Sequence, residues 1–223
     1  MCGRFVISSD LDEWSEFFGV DEVRTEALAP SWNVAPTDPV YAVAGHEGER
    51  LLGSFRWGLI PHYAKHRRAI HINARVETVA EKPPFRSSFA RRRCLIGADG
   101  FYEWRREPDG SKRPYYIQEA DAKTAFAGIW TRWTDPESKE RWTTCSILTT
   151  TASPAVEDVH DRMPVMLAPL LWDDWLDEDE QDPNVLLSIL DANPPPSLRL
   201  SEVSTLVNSV RNNDAGLVEP ISL

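Results

Sequence analysis

Short apolar runs rich in β-branched and aromatic residues recur along this 223-residue chain, and they constrain its fold more than any other feature. The runs are "VYAVAG" (40–45), "LLGSFRWGLI" (51–60), "RCLIGADGFYEW" (93–104), "PYYIQE" (114–119), "TAFAGIWTRW" (124–133), "RWTTCSILTTTA" (141–152), "RMPVMLA" (162–168) and "LRLSEVS" (198–204). Turn chemistry such as "EPDGSK" and "TDPESKE" separates them, so at least seven strands are expected. Because few long helices intervene, hairpin-linked antiparallel sheets closing into a barrel or sandwich fit better than a parallel α/β sheet. The predicted class is α+β, with mainly antiparallel sheets forming a barrel-like core and helices at its periphery. "SSDLDEWSEFFG" reads as one helix, with Ser9 as cap, Asp12 three residues on, Leu11, Trp14, Phe17 and Phe18 on one face, and Gly19 as stop. "LAPLLWDDWLDED" and "DPNVLLSIL" read as two more, and "NPPPS" ends the second before the last strand.

The length suits one domain over residues 1–223, and 42% hydrophobic residues with nine Trp and eight Phe support a packed core. No run approaches the ~18 apolar residues of a membrane span, and "MCGRF" passes straight into polar "SSDLDEW" without a signal peptide's apolar core. A cytoplasmic protein without membrane contact is expected. Three cysteines at positions 2, 94 and 145 fit neither a disulfide framework nor a C-x-x-C metal knuckle, so reduced thiols and no metal are expected. The net charge of −11 argues by itself against a nucleic-acid partner. It is segregated, however: Ser54–Tyr115 carries 14 Lys+Arg against 6 Asp+Glu, a local +8 that leaves −19 for the rest. Clusters such as "KHRR" and "ARRRC" are solvated charged faces unless the fold gathers them round one cleft.

Cys2 stands directly after Met1, and removal of Met1 would leave an α-amine and a thiol on adjacent carbons. An amine with an ordinary pKa of about 7.7–8.0 attacks an aldehyde to give an imine, and the thiol then closes a thiazolidine. That chemistry needs an acid and a hydrogen-bonding partner. Glu103 in "GADGFYEW" shares a strand face with Phe101, and a carboxylate among aromatics has its charged form disfavoured, which suits general acid work. The alternative is an edge-strand Glu in water. His160 in "VEDVHDRMPVML" sits at a strand entrance, as a catalytic, surface or structural histidine. Asn73 and Arg75 in "HINARVET" lie two apart, either orienting a substrate or forming a structural hydrogen-bond cluster. "SWNVAPTDP" and "FRWGLIPHYAK" read as loops in which Pro36, Trp57, Pro61 and Tyr63 stack on or wedge between bases, with core packing the alternative for Trp57. Cys94 and Cys145 lie inside apolar strands and read as inert core residues.

Together "MCGRF", "NVAP", "WGLIP", "INARVET", "GFYEW", "VHDRMPVML" and "VSTLVNSVRNNDAGLVEPI" resemble the SRAP (SOS-response-associated peptidase) family, in order and across nearly the whole chain. The resemblance implies a monomer without cofactor or metal that senses abasic sites in single-stranded DNA, crosslinks to them through Cys2 as a thiazolidine after Met1 is removed, and associates with the nucleoid when bound. A lyase activity on abasic sites and an autoprotease role come with it. On this basis Asn73 holds the sugar or the Cys2 backbone, Glu103 promotes ring opening and His160 assists proton transfer. Arg4, Arg75 and Arg162 contact phosphates, and Pro36 with the "WGLIPHY" loop supplies the base wedge. Tyr63 is followed by Ala64 where some members show an aromatic pair. Two rivals use the same residues: a cysteine peptidase with Cys2 as nucleophile, His160 as base and Asn73 as orienter, and a non-covalent single-strand binder. A metal site of Cys2, His160 and Glu103 has no supporting spacing.

Overall fold

Each of the eight apolar runs contributes at least one strand, and a single pairing closes five strands into a barrel. The structure, a computed structural model, describes residues 2–120 and 123–221. In chain order the elements are β1 (Phe5–Ile7), α1 (Leu11–Phe18), β2 (Glu22–Val23), β3 (Ser31–Val34), β4 (Pro39–His46), β5 (Glu49–Trp57), β6 (Asn73–Arg75), α2 (Val76–Val79) and α3 (Arg86–Arg91). They continue with β7 (Arg93–Ala98), β8 (Gly100–Arg106), β9 (Lys112–Glu119), β10 (Thr124–Thr134), β11 (Arg141–Thr151), β12 (Arg162–Pro164), α4 (Trp172–Leu176), α5 (Pro183–Asp191) and β13 (Leu198–Glu202).

Strands β11, β10, β7, β4 and β5 follow one another in the larger sheet, and β5 returns to β11 in parallel register, Arg56 opposite Thr144 and Trp57 opposite Cys145. Closure removes the sheet edges that would otherwise template aggregation. Alternation then sends one face of each strand inward. Trp14 of α1 would stand 2.8 Å from a Cβ at Gly97, whose register partner is Ala125, so that face is the outer one. The opposite face, carrying Ala42, Gly53, Ile96, Phe126 and Gly128, is the interior. A second sheet, ordered β13-β9-β8-β1-β3, caps one end: Phe5 of β1 meets the rings of Trp57 at 4.8 Å and Phe126 at 5.8 Å. The hairpin turns fall where "EPDGSK" and "TDPESKE" place them, joining β8 to β9 and β10 to β11. Among the described residues no helix is long and apolar enough to cross a membrane.

The structure corrects several local expectations. The cap of α1 is Asp10, in a capping box with Glu13, while Ser9 turns away to bond the Asp99 carboxylate at 2.7 Å. Gly19 does end the helix, at φ 57°. "RCLIGADGFYEW" is two strands in different sheets, broken at Asp99. "SWNVAPTDP" is a loop only from Ala35 to Asp38, since Ser31–Val34 pairs with β1. "RMPVMLA" pairs with β11 over Arg162–Pro164 and then bridges β10 at Met166, and "LAPLLWDDWLDED" is a 3-10 turn at Pro169–Leu171 followed by the short α4. "DPNVLLSIL" is α5, capped by Asp182. Strands β1, β2 and β6 and helices α2 and α3 are too short to leave a period in the sequence.

Candidate active site at the N-terminal strand

Strand β1 lies antiparallel to β8 with Phe5 opposite Phe101 and Val6 opposite Gly100. The Tyr102 N–H donates to the Arg4 carbonyl at 2.9 Å, so the register continues and sets Glu103 opposite Gly3. β8 is the middle strand of its sheet, and the Glu103 side chain lies on the Phe101 face; the residue is 3% exposed, which removes the solvent-facing alternative. Tyr102 and Trp104 pack on the other face in a separate apolar cluster, as alternation requires. Cys2 is fully buried, its thiol pointing at the Arg4 carbonyl at 3.9 Å. Desolvation above all, and then the negative charge of Glu103, hold that thiol far above its ordinary range, so it keeps its proton at neutral pH. The expected removal of Met1 concerns a residue outside the described ones.

Asn73 comes from the barrel. β6 runs parallel to β11 with Asn73 opposite Ile147, and the Asn73 side-chain N–H donates to the Cys2 carbonyl at 2.7 Å. Its Oδ1 is buried and accepts no hydrogen bond from the described residues, which leaves one acceptor at the site. On the opposite side of the same end of β11, β12 pairs with it, and His160 stands two residues before Arg162 of that strand. The His160 Nδ1 accepts the Arg162 N–H at 3.0 Å and lies 2.8 Å from the Asp161 carboxylate. A backbone N–H can only donate, so the neutral ring carries its proton on Nε2.

The three arginines differ sharply in availability. Arg75 is exposed. Arg4 is half-buried, its Nη1 donating to the Asn33 Oδ1 at 2.7 Å and the Val207 carbonyl at 3.0 Å, with its guanidinium over Trp104 at 6.0 Å. Arg162 is buried and committed: it holds both oxygens of Glu77 at 2.5 and 2.9 Å and the Thr149 carbonyl at 2.6 Å. That bidentate bond pulls the Glu77 carboxyl below the usual carboxylate range. Trp57 is not displayed: it is 0% exposed, and its indole N–H donates to the Ile72 carbonyl at 2.9 Å. Pro61 is likewise buried, Pro36 occupies a partly exposed turn, and Tyr63 is 55% exposed with its ring edge-on to His62. Cys94 and Cys145 are buried free thiols inside the barrel strands.

Sequence reasoning gave no role to Asn33, which organises the Arg4 side of the site. Its amide also donates to the carbonyls of Ser209 at 3.0 Å and Asn212 at 2.7 Å, fastening the C-terminal segment beside β1. Only its place in "NVAP" pointed to it. Glu77, the partner of Arg162, was equally silent, because 85 residues separate the pair.

The chain is 40% identical over 223 residues to "Abasic site processing protein YoqW" of Bacillus subtilis, covering 98% of this chain and 99% of that one. It is 31% identical over 235 residues to "Abasic site processing protein HMCES" of Gallus gallus, covering 90% and 69%. A solved protein from Bacteroides thetaiotaomicron shares the fold with a TM-score of 0.85 at 24% identity, covering 99% of this chain and 100% of that one. The pattern of the family described as SOS response associated peptidase (SRAP) matches residues 1–210. The chain therefore belongs to the SRAP family.

Proposed function

We propose that this protein captures abasic sites in single-stranded DNA by closing a thiazolidine on Cys2. One observation carries the reading: a residue at the chain end, where backbones usually fray, is fully buried and held between two sheets by the Asn73 amide, with Glu103 close enough to perturb its thiol. The names of the B. subtilis and Gallus gallus relatives, both abasic site processing proteins, support the substrate. So does the +8 charge of Ser54–Tyr115, since phosphate contacts dominate nucleic-acid affinity.

With Met1 removed, the Cys2 amine is the nucleophile that adds first. The amine adds to the aldehyde carbon of the ring-opened sugar, and loss of water leaves an imine. The thiol sulfur then bonds that carbon and its proton passes to nitrogen, so aldehyde plus aminothiol gives thiazolidine plus one water. Glu103 takes the proton of the anomeric hydroxyl and passes it to the sugar ring oxygen, then takes a proton from the adding nitrogen and passes it to the departing hydroxyl. Asn73 fixes the Cys2 carbonyl, and its open Oδ1 receives a substrate hydroxyl. His160 relays protons on the far side, while Arg75 and the exposed Lys65, Arg67 and Arg68 face phosphates. An imine also acidifies the neighbouring C–H, so elimination of the 3′ phosphate, a lyase step, competes with ring closure. A peptidase mechanism requires a thiolate, which burial and Glu103 both oppose.

The test is a denaturing gel of protein mixed with single-stranded DNA carrying one abasic site. Wild type shifts the DNA, while Cys2→Ala and an undamaged strand do not; an equal shift by Cys2→Ala overturns the proposal. Glu103→Gln slows capture at neutral pH and leaves non-covalent binding near wild type. Non-covalent affinity falls with salt at a log–log slope of about −0.7 per phosphate contacted.

A further inference from the structure

The barrel has two ends, and only one is used by the Cys2 site. Asn73 meets β11 at Ile147, whereas a cavity of about 380 Å³ opens near Thr143. Four residues of strand separate them, roughly 13 Å along the barrel. Inward-facing residues line this second mouth: Ala44, Gly53, Phe55, Trp130, Arg132 and Thr143. Small side chains leave the space, and the rings of Phe55 and Trp130, 5.6 Å apart and tilted, form an aromatic wall. Barrel mouths are a recurrent place for small-molecule sites, and the volume falls within the roughly 300–1,000 Å³ such sites span.

The rim is cationic. The Arg132 guanidinium lies over Trp130 at 5.6 Å and is in no ion pair among the described residues. Arg24 also lines the cavity, although Glu22 holds it at 2.7 Å. The one carboxylate in the lining, Glu178, is engaged by His46 at 3.5 Å and by the Glu47 N–H at 3.0 Å. Arg92, from the "ARRRC" run, stands close by: Arg91, Arg92, Trp130 and Glu178 border an adjoining recess. The Arg92 Nε is buried and donates to nothing among the described residues, and besides desolvation the charges of Arg91 and Arg132 push its guanidinium below the ordinary range. Cations are thus gathered at an aromatic-walled cavity with too few anions to match them.

We propose that this distal mouth is a second binding site, for a nucleotide unit whose base lies against Phe55 and Trp130 and whose phosphate is met by Arg132 and Arg92. Stacking on aromatic faces tolerates any base, and the guanidinium forks suit phosphate oxygens. The unit is either a free mononucleotide or part of an undamaged stretch of strand, and the chemistry of recognition is the same.

The experiment titrates the full chain with dAMP, deoxyadenosine and inorganic phosphate while following tryptophan fluorescence and heat of binding. dAMP binds and alters Trp fluorescence, and both halves alone bind more weakly. Arg132→Glu weakens dAMP by about tenfold or more, the loss expected for one charge-assisted contact. Gly53→Leu, whose Cβ would stand 3.1 Å from the Phe55 ring and project into the mouth, abolishes it. Both variants keep the wild-type rate of abasic-site capture. Competition of dAMP by a short undamaged oligonucleotide assigns the site to a strand, and absence of competition assigns it to a free nucleotide. No dAMP binding, binding insensitive to both variants, or phosphate binding as tightly as dAMP overturns the proposal.

Discussion

Cys2, Cys94 and Cys145 are alike in type, burial and raised thiol pKa, so nothing intrinsic to the side chain marks one of them as reactive. The proposed capture rests instead on the position of Cys2 directly after Met1, which was plain in the sequence. Its geometry was not: the Asn73 amide reaches it from 71 residues away. If the amine acts first, Cys2→Ser still forms an imine but closes only a labile oxygen ring. Borohydride then traps its crosslink on a denaturing gel, whereas without borohydride the serine variant loses the crosslink on heating and wild type keeps it. The rate of capture rises between pH 6 and pH 8 as the amine, with its ordinary pKa of about 7.7–8.0, loses its proton. A second rise at higher pH, tracking thiolate formation, would contradict the order proposed.

At the scale of the element, one carboxylate settles where the N-terminal segment turns. Asp99, between β7 and β8, accepts from the Ser8 N–H at 2.6 Å, the Ser9 N–H at 3.1 Å and both serine hydroxyls. It breaks "RCLIGADGFYEW" in two and ties that corner to the junction of β1 and α1. Asp99→Ala strands several donors at once and lowers stability in a urea melt by about 2–3 kcal/mol. Asp10→Ala removes an exposed helix cap and costs about 1 kcal/mol; an equal loss from the two would refute this ranking. α1 was readable from its apolar face and Gly19, but its cap was misplaced by one residue. Ser9 and Asp10 are both good caps, and the tertiary partner Asp99 takes the serine.

Across the whole molecule, buried cations fasten the additions to the barrel. Arg93 donates to the carbonyls of Trp175 at 2.7 Å and Ala90 at 2.6 Å and to that of Asp177, holding the ends of α3 and α4 against β7. Arg162 likewise joins β12 to the start of α2 through Glu77. Glu77 titrates lower in the folded chain than unfolded, so its contribution is complete above the unfolded value and is lost as pH falls through the folded one. Arg162→Met should therefore lower stability by about 1–3 kcal/mol at pH 7, with a gap to wild type that narrows below the ordinary carboxylate range. Urea midpoints of the two proteins at several pH values check this, and a gap independent of pH would show that Glu77 is not the partner that counts.

The sequence by itself determined the longer strands, the hairpin turns and the barrel-like class, and it singled out Cys2 as the cysteine on which the proposed aminothiol chemistry rests. These are local properties: alternation, turn residues and position are legible within about ten residues of chain. The tertiary structure alone decided that β5 returns to β11 and closes the barrel, that Trp57 is core, that Arg162 is spent on Glu77, and that Asn33 ties Arg4 to the C-terminal segment. Each joins residues far apart in the chain, and whether a polar or aromatic side chain faces water, a substrate or a partner depends on what folds against it.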